Sequence, residues 1–140
     1  MTDLKNKIIV ITGGLGQIGK ALACELALSN SKIIILDIQN KNKLKNIKNY
    51  HVIKNNIFYY KCDVSNKKSV KNVSKKILKK FKKIHILINN AAQNDAVEKK
   101  KNLNNSKFEN LSLKDWQKTI LVNLNSMFLC SQIFGKELIK

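Results

Sequence analysis

Gly13, Gly16 and Gly19 recur at three-residue intervals directly behind the apolar run Ile8-Ile9-Val10-Ile11-Thr12 and directly ahead of a helical pattern. A turn of this kind can hold a pyrophosphate. Its first glycine permits a tight turn, the second lets the backbone approach the phosphates, and the third lets the new helix pack closely on the strand. The helix start then offers free N–H groups and the positive end of its dipole. Leu15, Gln17 and Ile18 share this turn with the glycines and are expected to touch the same ligand. About twenty residues further on, Asp37 closes a second apolar run, where a carboxylate can accept from the ribose 2′-OH of NAD. An acid there repels the 2′-phosphate of NADP, so NAD is the expected cofactor. The P-loop of an NTPase is not completed in this stretch.

The elements that must carry these residues alternate along the chain. Ile8 to Thr12 reads as a strand, Gln17 to Leu28 as a helix, and Ile33 to Asp37 as a second buried strand. Lys41 to Lys48 is a weak helix candidate, and Ile57 to Cys62 a third strand. Ser65 is the expected N-cap of a lysine-rich helix running to about Phe81, and Ile84 to Ile88 a fourth strand. Strands separated by helices imply right-handed crossovers and a mostly parallel sheet covered on both faces, an α/β doubly wound fold. Residues Asn94 to Leu111 are polar and aperiodic and read as a long surface loop. Ser112-Leu113-Lys114-Asp115 has the pattern of a capping box. Trp116, Ile120, Leu121, Leu124, Phe128, Gln132 and Leu138 then predict a long helix to the end of the chain.

With 140 residues, the length suits one domain with a real core. Neither a leader pattern nor a membrane-length apolar run is present, so a cytoplasmic protein is expected. The formal net charge is +18, which raises the possibility of a nucleic-acid partner. Every basic residue is Lys, however, and Arg is the residue suited to bidentate recognition of phosphate and guanine. The densest group, Lys67 to Lys83, interleaves with Val70, Val73, Ile77 and Phe81 as an ordinary amphipathic surface helix. No specific nucleic-acid partner is therefore expected. Cys24, Cys62 and Cys130 are odd in number and widely spaced, and read as buried apolar residues, not as disulfide or zinc partners. His85, inside an apolar strand, reads as a hydrogen-bonded structural histidine, and no metal is expected.

The chain resembles the N-terminal part of the short-chain dehydrogenase/reductase family. Four stretches match in the family's order: Thr12-Gly-Gly-Leu-Gly-Gln-Ile-Gly19, Cys62-Asp63-Val64, Asn89-Asn-Ala-Ala92, and Val122-Asn123-Leu124 within a helix. The resemblance implies a Rossmann-type sheet, incomplete here, with about four of the family's roughly seven strands. It further implies that Asp63 and Val64 flank the adenine, and that Asn90, Ala91 and Ala92 line the cofactor side of the fourth strand. Asn123 is implied as the helix asparagine of the catalytic set, which in the family holds a water in a proton relay. Two departures stand out. The glycine spacing is that of the extended, sugar-nucleotide-modifying branch, with Gln17 where the shorter branch has Gly, and Ala92 replaces a final Gly. The long loop, Phe108-Glu109-Asn110 and Trp116 resemble reductases of flagellin-glycan and nonulosonic-acid pathways.

The family's active Tyr, the Lys four residues beyond it and a preceding Ser follow the Asn-bearing helix, and this sequence reaches Lys140 within that helix. Tyr50-His-Val-Ile-Lys54 has the Tyr-x-x-x-Lys spacing, but it falls between the second and third strands, remote from a nicotinamide. The Tyr is required as general acid/base toward the substrate oxygen, with the Lys lowering its pKa. The expectation is a single Rossmann domain shortened at its C-terminus: the NAD-binding portion of an oxidoreductase acting on an alcohol or carbonyl compound such as a sugar derivative, and inactive alone. The whole enzyme would be a homo-oligomer. The competing readings are a stand-alone dinucleotide-binding or regulatory module and a lysine-driven nucleic-acid binder.

Overall fold

The computed structural model describes residues 4–93 and 108–139. Four strands, β1 (Ile8–Thr12), β2 (Lys32–Asp37), β3 (Ile57–Lys61) and β4 (Ile86–Ile88), form one parallel sheet in the order β3-β2-β1-β4. The register pairs Ile9 with Ile33 on one side and with Ile86 on the other, and Ile35 with Tyr59. The chain therefore builds outward from β1 through β2 to β3, then returns to place β4 on the opposite flank of β1. This reversal opens a crevice at the C-terminal ends of β1 and β4, the position where open α/β sheets bind ligands.

Strand side chains alternate between faces, and here both faces are covered. Ile9, Ile11, Ile33 and Ile35 pack with Ala23, Cys24 and Ala27 of α1 (Gln17–Leu28) and with Ile53 of the one-turn helix α2 (Tyr50–Ile53). Ile8, Val10, Ile34 and Leu36 pack on the other side with Val70, Val73 and Ile77 of α3 (Lys67–Phe81) and with Cys130 and Phe134. The last two belong to α5 (Ser126–Leu138), which continues from α4 (Leu113–Ile120) through a π-helical segment, Leu121–Asn125. All three cysteines are buried and unpaired. Burial pushes the Cys130 thiol up to about 12, so it stays protonated and apolar in character.

Several local expectations shift. The stretch after β2 forms a 3₁₀ turn, Lys41–Asn46, capped by the Asn40 side chain, and the helix proper is Tyr50–Ile53. The N-cap of α3 is Asn66, whose side chain accepts from the Ser69 amide; Ser65 instead bonds the Asp63 carboxylate. Strand β4 begins at Ile86 and not at Ile84, because His85 turns its ring back to accept a hydrogen bond at Nδ1 from the Ile8 amide at 3.0 Å. The expected loop 94–111 lies outside the described residues except for its end, where Phe108–Asn110 form a 3₁₀ turn. The C-terminal helix is interrupted, and its buried stripe is Ser126, Cys130 and Phe134. Trp116, Leu121, Leu124 and Phe128, the stripe read from the sequence, face outward.

Candidate functional site

A cleft of about 570 Å³ opens at the C-terminal ends of the strands. Its walls include Gly13, Gly16, Gln17 and Ile18 of the glycine turn, Asp37 at the end of β2, Asp63 and Val64 after β3, and Asn90, Ala91 and Ala92 after β4. These residues come from four separated stretches, and the parallel sheet is what brings them to one rim. Leu15 and Gly19 stand just behind the wall. Leu15 is buried, and Gly19 lies so close to the turn that a Cβ there would meet the Gly13 carbonyl oxygen at 2.3 Å. Gly13 has φ +62°, and a Cβ on it would meet the Ala91 Cα at 2.7 Å, so both positions are sterically committed to glycine.

The turn is braced from both sides. Thr12 Oγ1 accepts from the amides of Asn90 and Ala91 at 2.9 and 3.0 Å, and Asn90 Nδ2 donates to the carbonyls of Thr12 and Gly13 at 3.0 and 3.1 Å. On the β2 side, Asp37 Oδ2 accepts from the Leu15 amide at 2.9 Å, and Oδ1 from the Gln39 amide at 2.9 Å. Asp37 is only 5% exposed, yet each carboxylate oxygen keeps a second lone pair for a ligand hydroxyl. Helix α1 follows Gly16 at its N-cap position, with no side-chain cap and no acid in its first turn. Its positive end and free N–H groups are thus left for an anion arriving from the cleft. This donor set suits a dinucleotide: an uncapped helix end for phosphates, the Asp37 carboxylate for a hydroxyl donor, and apolar walls at Ile38 and Val64.

Asn123 does not line the cleft; its neighbour Val122 does. The Asn123 amide sits in the π-helical segment and forms a two-bond ring with the backbone of Gln93, accepting from its N–H at 2.7 Å and donating to its C=O at 3.1 Å. Its role in the geometry is to tie the helix to the strand-end segment Asn90–Gln93. The decoy pair Tyr50 and Lys54 lies on and just after α2, away from the cleft walls. Thr12, Leu36, Ile38, Gln39 and Cys62 also serve the site and were not singled out from sequence. Thr12 and Cys62 could have been, since each is the first residue of a matched motif. The Cys62 thiol is pushed up by burial, held back in part by the Ser69 hydroxyl, so it forms a neutral wall. Among the described residues no group of three or more His, Cys, Asp or Glu is placed to hold a metal, and no helix is long and apolar enough to cross a membrane.

Residues 7–140 match the family described as short chain dehydrogenase. The chain belongs to this family. It is 31% identical over 137 residues to an uncharacterized oxidoreductase of Thermotoga maritima, covering 98% of this chain and 50% of that protein. It is 34% identical over 134 residues to the 3-oxoacyl-[acyl-carrier-protein] reductase FabG of Buchnera aphidicola, covering 96% and 50%. Among solved structures, a short chain dehydrogenase from Bacillus anthracis superposes with a TM-score of 0.81 at 32% identity, covering 99% of this chain and 52% of that one. The short-chain dehydrogenase chain thus spans about half the length of the curated relatives it matches. The Rossmann-like α/β fold is common to them.

Proposed function

We propose that this chain is the NAD-binding half of a short-chain oxidoreductase, which moves a hydride between NAD and an alcohol or carbonyl carbon. The observation that carries the proposal is the cleft itself: an uncapped, acid-free start of α1 beside a glycine turn, with Asp37 across from it. The nicotinamide supplies the hydride chemistry. The residues present here bind and orient: the turn holds phosphates, Asp37 accepts from a ribose hydroxyl, and Asn123 fixes the segment on which Ala92 and Gln93 lie. Asp37 supports NAD over NADP, since a 2′-phosphate placed there would meet a buried carboxylate.

The substrate is an alcohol or carbonyl compound, and the likeness to sugar-pathway reductases noted above extends this to a sugar derivative. The chain, as one Rossmann domain without the family's Ser, Tyr and Lys, performs no turnover by itself, because hydride transfer lacks its proton partner. The reading of a half-site is favoured over a stand-alone module by the apolar side chains left exposed from α4 through the π-helical segment to α5, Trp116, Leu124 and Phe128 among them. Calorimetric titration tests the proposal. NAD is expected to bind and NADP to bind at least about tenfold more weakly, a difference of about 1.4 kcal/mol. Gly19→Ala is expected to abolish NAD binding by driving a Cβ into the Gly13 carbonyl. Binding of neither nucleotide by the unmodified chain, or turnover of any alcohol by it, would overturn the corresponding part.

A further inference from the structure

The segment Asp37-Ile38-Gln39 is held closed from an unexpected direction. Tyr59, in the middle of β3, reaches along the sheet and donates its hydroxyl to the Gln39 carbonyl at 2.5 Å, with the Asp37 carbonyl 3.3 Å away. Gln39 is therefore pinned at both ends of its backbone, its N–H by the Asp37 carboxylate and its C=O by Tyr59. The same carboxylate binds the Leu15 amide in the glycine turn. A continuous chain of hydrogen bonds thus runs from β3 through Gln39 and Asp37 to the phosphate-binding turn. Between the two pinned residues Ile38 projects outward, 64% exposed, into the cleft wall.

Each link is needed in its present form. A phenol has one proton to donate and gives it to the nearer carbonyl. Burial, and then the nearby Asp37 charge, raise the Tyr59 pKa above its ordinary value, so the donor persists at neutral pH. If Gln39 were released, its amide would leave Asp37 Oδ1, and the carboxylate would be free to rotate away from Leu15 and the ribose position. The residue that faces a dinucleotide is Asp37, but the residue that holds it in that orientation is on a different strand.

We propose that Tyr59 is a positioning residue for cofactor choice: its hydroxyl locks the Asp37–Gln39 turn so that the Asp37 carboxylate faces the ribose 2′ position, and the lock sets the preference for NAD over NADP. This rests on the dinucleotide reading above. The phenyl ring of Tyr59 packs with the α1-side core and is retained in Tyr59→Phe, so that variant keeps the fold while losing the lock.

The test compares the unmodified chain and Tyr59→Phe by calorimetric titration with NAD and with NADP, and by amide hydrogen exchange at Gln39 and Leu15 without ligand. The expected result is about a tenfold loss in NAD affinity, NADP affinity unchanged within about twofold, and faster exchange at both amides. A merely structural tyrosine would weaken both nucleotides by the same factor. That outcome, or unchanged exchange at Gln39 and Leu15, overturns the proposal. Failure of the unmodified chain to bind either nucleotide overturns the dinucleotide reading instead, and is seen before any substitution is made.

Discussion

At the scale of single residues, the site is built from side chains whose jobs are mostly to hold backbone. Thr12, Asp37, Asn90 and Asn123 each satisfy main-chain N–H or C=O groups around the cleft rim. His85 does the same for the sheet. Its Nδ1 accepts from the Ile8 amide, which requires the neutral ring, and burial followed by the charges of Lys7 and Lys83 lowers its pKa below the ordinary value. The native state therefore binds this proton less readily than the unfolded chain. Stability from this group is fully present above the unfolded pKa of about 6.5 and is lost as pH falls through that value toward the lowered folded one. Thermal unfolding between pH 7.5 and pH 5.5 is expected to show this decline on the acid side. His85→Asn offers an acceptor of similar reach that does not titrate, and is expected to flatten the profile in that window. A variant with the same slope as the unmodified chain would remove His85 as the cause.

At the scale of elements, what could be read in advance was whatever had a short-range physical cause. The strands β1 and β2 are continuous apolar runs because both sheet faces are covered, and the start of α1 announces itself through Gly13, Gly16 and Gly19. The Ser112 cap was equally local: its hydroxyl accepts from the Asp115 amide at 3.1 Å. Elements fixed by tertiary contact were illegible. Tyr50–Ile53 is too short to nucleate alone and exists because Ile53 and Tyr50 pack against the α1 face. The outward stripe Trp116, Leu121, Leu124 and Phe128 was as periodic as the inward one, Ser126, Cys130 and Phe134, and periodicity cannot say which of two apolar faces meets the sheet. Tyr59 had no local signature at all, since its partner carbonyls are brought to it only by the β2–β3 pairing. Helix α4 buries no residue, so its cap carries an unusual share of its stability. Ser112→Ala is expected to cost about 1 kcal/mol locally. Hydrogen exchange should quicken in 113–120 while the global unfolding temperature stays nearly unchanged, and a large drop in that temperature would show that α4 is coupled to the core after all.

At the scale of the whole molecule, the surface is divided between lysine-rich faces and an apolar band. The outer side of β4 has no strand beside it among the described residues, and Trp116, Leu124, Met127 and Phe128, on the helical stretch from Leu113 to Leu138, are between 45% and 62% exposed. A protein with this charge would ordinarily repel its own copies. The apolar band opposes that, and patches of this kind drive association. Sedimentation of the 140-residue chain is expected to show concentration-dependent self-association that salt strengthens by screening the lysines. Leu124→Glu combined with Phe128→Glu is expected to suppress it at little cost in thermal stability, because neither side chain packs in the core. A chain that stays monomeric at every concentration and salt level would contradict this.

The bracing of the glycine turn by Asn90 also has a consequence in time. Thr12 and Asn90 are 78 positions apart, and their mutual hydrogen bonds are the seam that closes the cleft. During synthesis the turn and α1 leave the ribosome long before Asn90 does, and contacts of such separation form late because loop closure must precede them. The glycine turn therefore precedes by 78 positions the residue that braces it, and the cleft has no closed rim until the two meet. The closed rim is completed by the pairing of β4 with β1.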